Sequence, residues 1–223
     1  MSDKNKKIDS GNHSYRKPEF YNVWRRIFQF LVTHVGYMIR FRLVYRLEIQ
    51  GKENIPKENN FIVAANHLST LDPPLVTAIM DRPVAYMAKK ELFENPFLCW
   101  WLNWLGAFAV DREKLGVSTI KTVKSLKETN WILGIFPQGR RELNGEITGV
   151  TKGFATLAKS TKCNILPVGI TGTQEVKRWP FTGKIIVKIG KVIPYTDEIP
   201  EIVNKWGYSV EKLSGLKYVP EEV

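Results

Sequence analysis

Apolar side chains recur at helical spacing near the beginning of the chain. Steps of three or four residues separate six of them, which places them on one face of a helix: Phe20, Trp24, Ile27, Leu31, Val35 and Met38. The thirteen residues from Ile27 to Ile39 carry no formal charge when His34 is neutral, and arginines stand on both sides of them. This stretch is shorter than the ~20 residues that a membrane-spanning helix needs. The pattern therefore predicts an amphipathic helix that lies on a surface, either a membrane interface or a face of its own domain.

Beyond residue 45, short apolar runs alternate with helix-like segments. The runs that predict strands are Tyr45–Gln50, Phe61–Ala65, Val84–Ala88, Ile132–Phe136, Asn164–Ile170 and Ile185–Ile189. The segments that predict helices are Pro73–Met80, Pro96–Leu105, Ser118–Glu128 and Lys152–Ser160. This alternation predicts an α/β fold, a layered sheet flanked by helices. We expect two parts, a basic arm with the amphipathic helix over 1–44 and an α/β domain over 45–223, whose tail after Asp197 is polar and weakly patterned.

The composition is that of a folded globular chain. The 223 residues are 43% hydrophobic and 25% charged, which is too apolar for wholesale disorder. Cys99 and Cys163 lie too far apart for a metal-ligand motif and form no disulfide framework, which suits a reducing compartment. The first residues are too polar for a secretory signal peptide. We expect neither a metal nor a cofactor.

Positive charge is concentrated at the N-terminal end. The chain carries a formal net charge of +11, and residues 1–46 contribute +7 of it. Such an arm could contact nucleic acid or an anionic membrane surface. The wide apolar stripe favours the membrane, since electrostatic binding to nucleic acid needs no such stripe. We therefore expect no nucleic-acid partner, and a peripheral protein on the cytoplasmic face of a membrane, docked through Trp24, Arg25, Arg26, Phe28, Leu31 and Arg40.

One histidine stands in a context that suggests chemistry. The segment Asn66-His67-Leu-Ser-Thr-Leu-Asp72 follows an apolar run and precedes a proline at a predicted helix start. Across this turn the Asp72 carboxylate could reach Nδ1 of His67 and leave Nε2 free to accept a proton. The alternative is a helix cap beside an uninvolved histidine. No Gly-x-Ser-x-Gly motif accompanies the pair, so the sequence predicts that His67 activates a substrate hydroxyl for direct transfer.

Cationic residues follow the ends of several predicted strands, where α/β sheets bind ligands. They are Lys89, Lys90, Arg112, Arg140 and Arg141, joined by Lys152 at the start of a predicted helix. Guanidinium groups and helix N-termini both bind phosphate. Each cation alone could be a solvated surface charge, but their shared position predicts a site for a phosphorylated substrate.

Four short blocks, taken together and in order, resemble the glycerolipid acyltransferase family, which includes bacterial 1-acylglycerol-3-phosphate acyltransferases. The first block is Asn66-His67-x4-Asp72, and the second ends at Arg112. The third is Phe136-Pro-Gln-Gly-Arg-Arg141, and the fourth surrounds Pro167. The order and spacing of the blocks agree with the family from about residue 45 to 172.

The third block departs from the usual family pattern, Phe-Pro-Glu-Gly-Thr-Arg, at two positions. Gln138 stands in place of the glutamate and Arg140 in place of the threonine. Glutamine carries no charge, so any part that the family's glutamate plays in holding the acceptor would be weakened here. Arg140 could compensate by binding phosphate. The departures bear on the identity of the acceptor more than on the type of reaction.

The resemblance implies a reaction with assigned roles. The donor would be a fatty-acyl thioester, on coenzyme A (acyl-CoA) or on acyl carrier protein, and the acceptor a lysophospholipid, first of all lysophosphatidate at its sn-2 hydroxyl. His67 would act as general base, and Asp72 would stabilise the imidazolium. The implied substrate-binding residues are Asn66, Lys89, Lys90, Arg112, Gln138, Gly139, Arg140, Arg141, Lys152 and Pro167.

Several alternatives stay open at the level of sequence. The acceptor could be glycerol 3-phosphate or another lysophospholipid, or water could replace it in a hydrolase. From another class, the chain could be a non-catalytic protein that binds anionic lipid. The tryptophan-rich segment Pro96–Leu105 could line an acyl-chain tunnel, contact lipid headgroups or pack in the core.

Overall fold

A seven-stranded sheet with helices on both faces forms the centre of the fold. The computed structural model describes residues 11–80, 82–110, 116–142, 144–176 and 183–220. The strands are β1 Glu48–Gln50, β2 Phe61–Ala65, β3 Val84–Lys89, β4 Phe108–Val110, β5 Ile132–Ile135, β6 Glu146–Ile147, β7 Asn164–Thr171, β8 Ile186–Ile189 and β9 Lys217–Tyr218. The helices are α1 Gly11–Ser14, α2 Val23–Phe30, α3 Ile39–Val44, α4 Asp72–Ile79, α5 Pro96–Trp104, α6 Val117–Leu126, α7 Gly153–Thr161 and α8 Ile199–Ser214, with a π-helical stretch Leu31–Met38 between α2 and α3.

The strands follow the order β1-β8-β7-β2-β5-β3-β4, and β6 and β9 form a separate parallel pair. Every neighbouring pair from β7 to β4 is parallel, whereas β8 runs antiparallel to β7. The carboxyl ends of β7, β2, β5, β3 and β4 therefore meet at one edge of the sheet. This edge is where an open α/β sheet presents the loops that bind ligands.

Two apolar cores lie on opposite faces of the sheet. On one face α6, α7 and α8 contribute Val123, Phe154 and Trp206, and the Trp206 indole donates a hydrogen bond to the Ala64 carbonyl at 3.0 Å. On the other face Phe41 of α3 and Leu75 of α4 pack among the strand residues. Because both faces are covered, the central strands read as continuous apolar runs. The predicted α/β fold, with a mostly parallel sheet flanked by helices, is confirmed.

The tail after Asp197, weakly patterned in the sequence, holds the sixteen-residue helix α8. Its buried positions are Ile202, Val203, Trp206 and Val210, at helical spacing. The glycine at 207 dilutes this pattern, and so do the polar residues that separate the buried positions. The strand β4 is likewise additional to the predicted ones, because three residues are too short for a clear alternation.

A buried glutamine attaches the N-terminal helical segment, which consists of α2, the π-helical stretch and α3, to the sheet. The Gln29 amide nitrogen donates to the carbonyls of Val84 and Leu105, both at 2.8 Å, and its amide oxygen accepts from the Val84 N–H at 3.0 Å. Thr33, also buried, lies one helical turn further along the same face. The inward face of this segment is therefore polar at its centre, and Phe41 supplies its apolar anchor.

We predict that Gly169→Ala destabilises the protein. A Cβ at this position of β7 would lie 2.5 Å from the Leu213 Cβ and 2.8 Å from the Ser214 backbone nitrogen, so α8 would have to move away from the sheet. Overpacking of this kind costs about 1–3 kcal/mol of unfolding free energy. Urea unfolding followed by tryptophan fluorescence would measure the loss. Gly36→Ala is the control, because its Cβ meets only open space and a carbonyl at 4.0 Å. Equal stability of the two variants would contradict the close approach of α8 to β7.

Candidate active site

The candidate site lies where three parallel strands end. His67 comes two residues after β2, Phe136 follows β5, and Thr173 comes two residues after β7. The register pairs Ala64 with Ile135 of β5 and Ala65 with Val168 of β7, which brings these segments to one edge. Residues from three distant parts of the chain thus meet around His67.

The predicted pair of His67 and Asp72 is formed. Nδ1 of His67 lies 2.8 Å from Oδ2 of Asp72. The same oxygen accepts the backbone N–H groups of Leu68 at 2.6 Å and Ser69 at 2.7 Å, so the carboxylate also closes the turn between the two residues. A carboxylate oxygen accepts hydrogen bonds, which makes Nδ1 the protonated ring nitrogen and leaves the lone pair on Nε2. Asp72 is fully buried, whereas the His67 side chain is 18% exposed and accessible to a substrate.

The backbone N–H and carbonyl of His67 are both held by hydrogen bonds, one with the third sequence block and one with the residue that follows it. The Gln138 side-chain oxygen accepts the His67 N–H at 3.1 Å, and the Glu142 N–H donates to the His67 carbonyl at 2.9 Å. An amide oxygen can make this bond as well as a carboxylate oxygen can. The glutamine at position 138 therefore keeps the acceptor that His67 uses and removes only the negative charge.

A stack of three rings positions the imidazole from one side. The Phe136 ring centroid lies 4.2 Å from that of His67, with 23° between the planes, and 5.8 Å from that of Tyr86, with 11° between the planes. The Tyr86 hydroxyl donates to the Pro73 carbonyl at 2.9 Å, and burial raises the pKa of this tyrosine far above its usual value. Gly134 leaves room for the stack, because a Cβ there would lie 2.5 Å from the Tyr86 ring.

A cavity of about 690 Å³ opens beside His67. It reaches from His67 and Phe136 to the N-terminal helical segment, where Val32 and Tyr37 line it, and to α5. The α5 side chains in its wall are Trp101 and Leu102. An elongated apolar substrate could lie there with one end at the imidazole.

Polar groups line part of the same cavity. Lys89 and Gly139 are in its wall, and so is Gly153, the first residue of α7. Lys152 precedes that helix and is exposed, as are Arg140 and Arg141. Unpaired N–H groups at a helix N-terminus add to the positive potential of such cations.

Three of the predicted substrate-binding residues, Asn66, Pro167 and Lys90, do not line this cavity. Both polar atoms of the buried Asn66 side chain bond to the backbone of Ile170, at 2.9 and 2.7 Å, and Pro167 is buried within β7. Lys90 begins a 3₁₀ turn beyond β3. Arg140 approaches Glu142 at 3.6 Å. The predicted role of Arg112 falls outside the described residues.

The N-terminal residues predicted to dock on a membrane divide into two groups. Trp24 and Leu31 are 68% and 52% exposed, and Arg26 and Arg40 are exposed as well. Arg25 and Phe28 instead pack inward, Arg25 over the Phe20 ring and Phe28 against the tryptophans of α5. Within the described residues, none of the helices has the length and apolar character required to cross a membrane.

Three contributors to the site were not among the sequence candidates. Tyr86 backs the ring stack, Glu142 donates to the His67 carbonyl, and Thr173 donates its hydroxyl to Oδ1 of Asp72 at 2.7 Å. The sequence did carry a signal for Thr173. This residue follows a predicted strand, and the residues that follow neighbouring parallel strands meet at one edge of a sheet. For the other two, the sequence alone carries no comparable signal.

Comparison with known proteins shows a family likeness. A family model described as Acyltransferase matches residues 46–171. The chain is 36% identical over 153 residues to the 1-acyl-sn-glycerol-3-phosphate acyltransferase of Bacillus subtilis, covering 68% of this chain and 75% of that protein. It is 34% identical to the protein of the same name from Streptococcus pneumoniae, covering 65% of this chain and 54% of that protein.

A solved structure has a similar fold. The crystal structure of the 1-acyl-sn-glycerophosphate (LPA) acyltransferase PlsC from Thermotoga maritima aligns with a TM-score of 0.61 at 23% identity, covering 87% of this chain and 97% of that one. The family model spans the central strands β2 to β7 together with His67 and Asp72. The chain belongs to the Acyltransferase family.

Proposed function

We propose that this protein transfers a fatty-acyl group from a thioester to the sn-2 hydroxyl of lysophosphatidate, giving phosphatidate. The observation that carries the proposal is the 2.8 Å contact between His67 Nδ1 and Asp72 Oδ2, since His67 lines a largely apolar cavity. The names of the relatives support the same acceptor. The donor is a fatty-acyl thioester, on coenzyme A or acyl carrier protein.

In the proposed mechanism His67 is the general base. Nε2 accepts the proton of the acceptor hydroxyl, and the resulting alkoxide attacks the thioester carbonyl. Asp72 stabilises the imidazolium through the Nδ1–H bond and holds the ring in the required tautomer. When the tetrahedral intermediate collapses, the carbon–sulfur bond breaks, and the imidazolium returns its proton to the thiolate.

The two substrates occupy different walls of the site. The acyl chain lies along the apolar wall formed by the N-terminal helical segment and α5, where each buried CH₂ contributes about 0.8 kcal/mol. The acceptor phosphate lies toward Lys89 and the N-terminus of α7, with Arg140, Arg141 and Lys152 nearby; Arg112 would extend this cationic set.

The exposed apolar stripe of the N-terminal segment docks the protein on a membrane in this proposal. Trp24, Ile27, Leu31 and Val35 all expose more than two fifths of their surface, while the polar Gln29 and Thr33 face inward. Arg26 lies beside the stripe and is exposed. An apolar stripe flanked by arginine suits an anionic interface. The same segment lines the cavity, so a docked protein would face the layer that holds both lipid substrates.

Replacement of His67 by alanine should abolish most of the activity. Loss of the base removes proton transfer from the acceptor hydroxyl, and we expect a fall in kcat of about a thousandfold. The assay follows acyl transfer from a panel of acyl-CoA and acyl carrier protein donors to lysophosphatidate, glycerol 3-phosphate and neutral lysolipids. His13→Ala is the control histidine and should keep the wild-type rate. A His67→Ala variant at full rate would refute the mechanism, and a wild type that acylates none of these acceptors would refute the function.

Replacement of Lys89 by glutamine should weaken use of phosphorylated acceptors. Lys89 lines the cavity, and loss of a charge-assisted bond to phosphate should lower kcat/KM for lysophosphatidate about tenfold. Monoacylglycerol, which lacks the phosphate, should show little change in the same assay. Lys57→Gln, at an exposed position before β2, is the matched control. Equal loss on both acceptors would mean that Lys89 does not bind the phosphate.

Charges placed on the exposed stripe should release the protein from vesicles. A Leu31→Glu, Val35→Glu double variant should lose flotation with vesicles of phosphatidylcholine and phosphatidylglycerol, since a carboxylate is costly to bury among acyl chains. Tyr208→Glu, an exposed position of α8 on the other side of the sheet, should float as the wild type does. Unchanged flotation of the double variant would show that the stripe is not the docking face.

A further inference from the structure

A threonine far away in the sequence touches the carboxylate behind the imidazole. The Thr173 hydroxyl donates to Oδ1 of Asp72 at 2.7 Å, and both side chains are buried. We propose that Thr173 is a positioning residue for the general base, which fixes the plane of the Asp72 carboxylate so that Oδ2 faces Nδ1 of His67. The inference rests on the proposed function, because it concerns the base of that reaction.

The division of donors between the two carboxylate oxygens explains why this hydroxyl matters. Oδ2 accepts three hydrogen bonds, from Nδ1 of His67 and from the backbone N–H groups of Leu68 and Ser69. The donor to Oδ1 is Thr173. Rotation about the bond that carries a carboxyl group is soft, with no sharp staggered minima. Without the hydroxyl, Oδ1 would be a buried acceptor without its donor, and the carboxylate would turn to share the donors of Oδ2.

The fold holds Thr173 in place through contacts of the residues that precede it. Asn66, which precedes His67, bonds through both ends of its amide to the backbone of Ile170 in β7, at 2.9 and 2.7 Å. Gly172 then turns the chain at a φ of 86°, where a Cβ would lie 2.0 Å from the Lys184 carbonyl oxygen. A residue with a side chain could not make this turn here. Thr173 is thus delivered to Asp72 by the same strand that Asn66 ties to the His67 loop.

The geometry predicts a loss in kcat without a matching change in KM. Thr173→Val keeps the shape and removes the hydroxyl, and we expect kcat for acyl transfer to fall about tenfold while KM stays within about twofold. Thr173→Ser restores the hydroxyl and should recover most of the rate. Thr161→Val is the matched control, since Thr161 is equally buried and its hydroxyl bonds to the Leu157 carbonyl, away from the site. A Thr173→Val enzyme with wild-type kcat would overturn the proposal.

A double-mutant cycle separates positioning from general damage. In an Asp72→Ala background no carboxylate is left to orient, so adding Thr173→Val should change the residual rate by less than about twofold. If the two substitutions instead reduce the rate of acyl transfer by independent factors that multiply, Thr173 acts by a route other than Asp72, and the proposal is overturned.

A spectroscopic measurement on the free protein keeps this inference separate from the proposed reaction. The ¹⁵N resonances of the His67 ring, assigned by their loss in His67→Ala, report the bond between Nδ1 and Asp72. We expect them to shift in Thr173→Val, to return in Thr173→Ser and to stay in place in Thr161→Val. A wild type inactive on every acceptor would refute the function, but the ring resonances would still test Thr173. Resonances unmoved by Thr173→Val would overturn the positioning role.

Discussion

Parallel pairing of β2 with β5 and β7 is the constraint on which the site depends. His67 lies after β2, its backbone partner Gln138 after β5, and the donor to its carboxylate, Thr173, after β7. The Asn66 amide fixes the ends of β2 and β7 relative to each other through two hydrogen bonds to Ile170. Because a shift of one residue would reverse the side-chain directions of a strand, these bonds also fix which side chains face the site.

Near its middle, the N-terminal helical segment has the reverse of the polarity that an ordinary surface helix shows. Gln29 and Thr33 face the domain, and the central part of the apolar stripe, with Trp24 and Leu31, faces outward. The inward glutamine is satisfied by three backbone hydrogen bonds to Val84 and Leu105, so its burial carries no unpaired group. One helical segment can thus line the cavity with its inner face and leave its outer face for the membrane contact that we propose.

Local patterns predicted the layers of the fold because burial on both faces makes central strands continuously apolar. The bounds of β2 agree with the prediction, and those of β3, β5 and β7 differ by a single residue. The helix α8 was not predicted, since polar residues interrupt its buried positions, and it packs closely on β7 where Gly169 leaves room for it. The sequence also identified the apolar stripe but not its direction, because spacing defines a face of a helix and not what covers it.

The sequence by itself predicted the pair of His67 and Asp72, since a separation of five residues across a turn lets the carboxylate reach Nδ1, but it left a helix cap beside an uninvolved histidine as the alternative. It could not determine that the pair has partners 71 and 101 residues away, Gln138 at the His67 backbone and Thr173 behind Asp72. Those contacts depend on which strands lie beside β2 and in what register. Only the tertiary structure decided them, since strand order is set by the packing of helices on both faces and not by any local spacing.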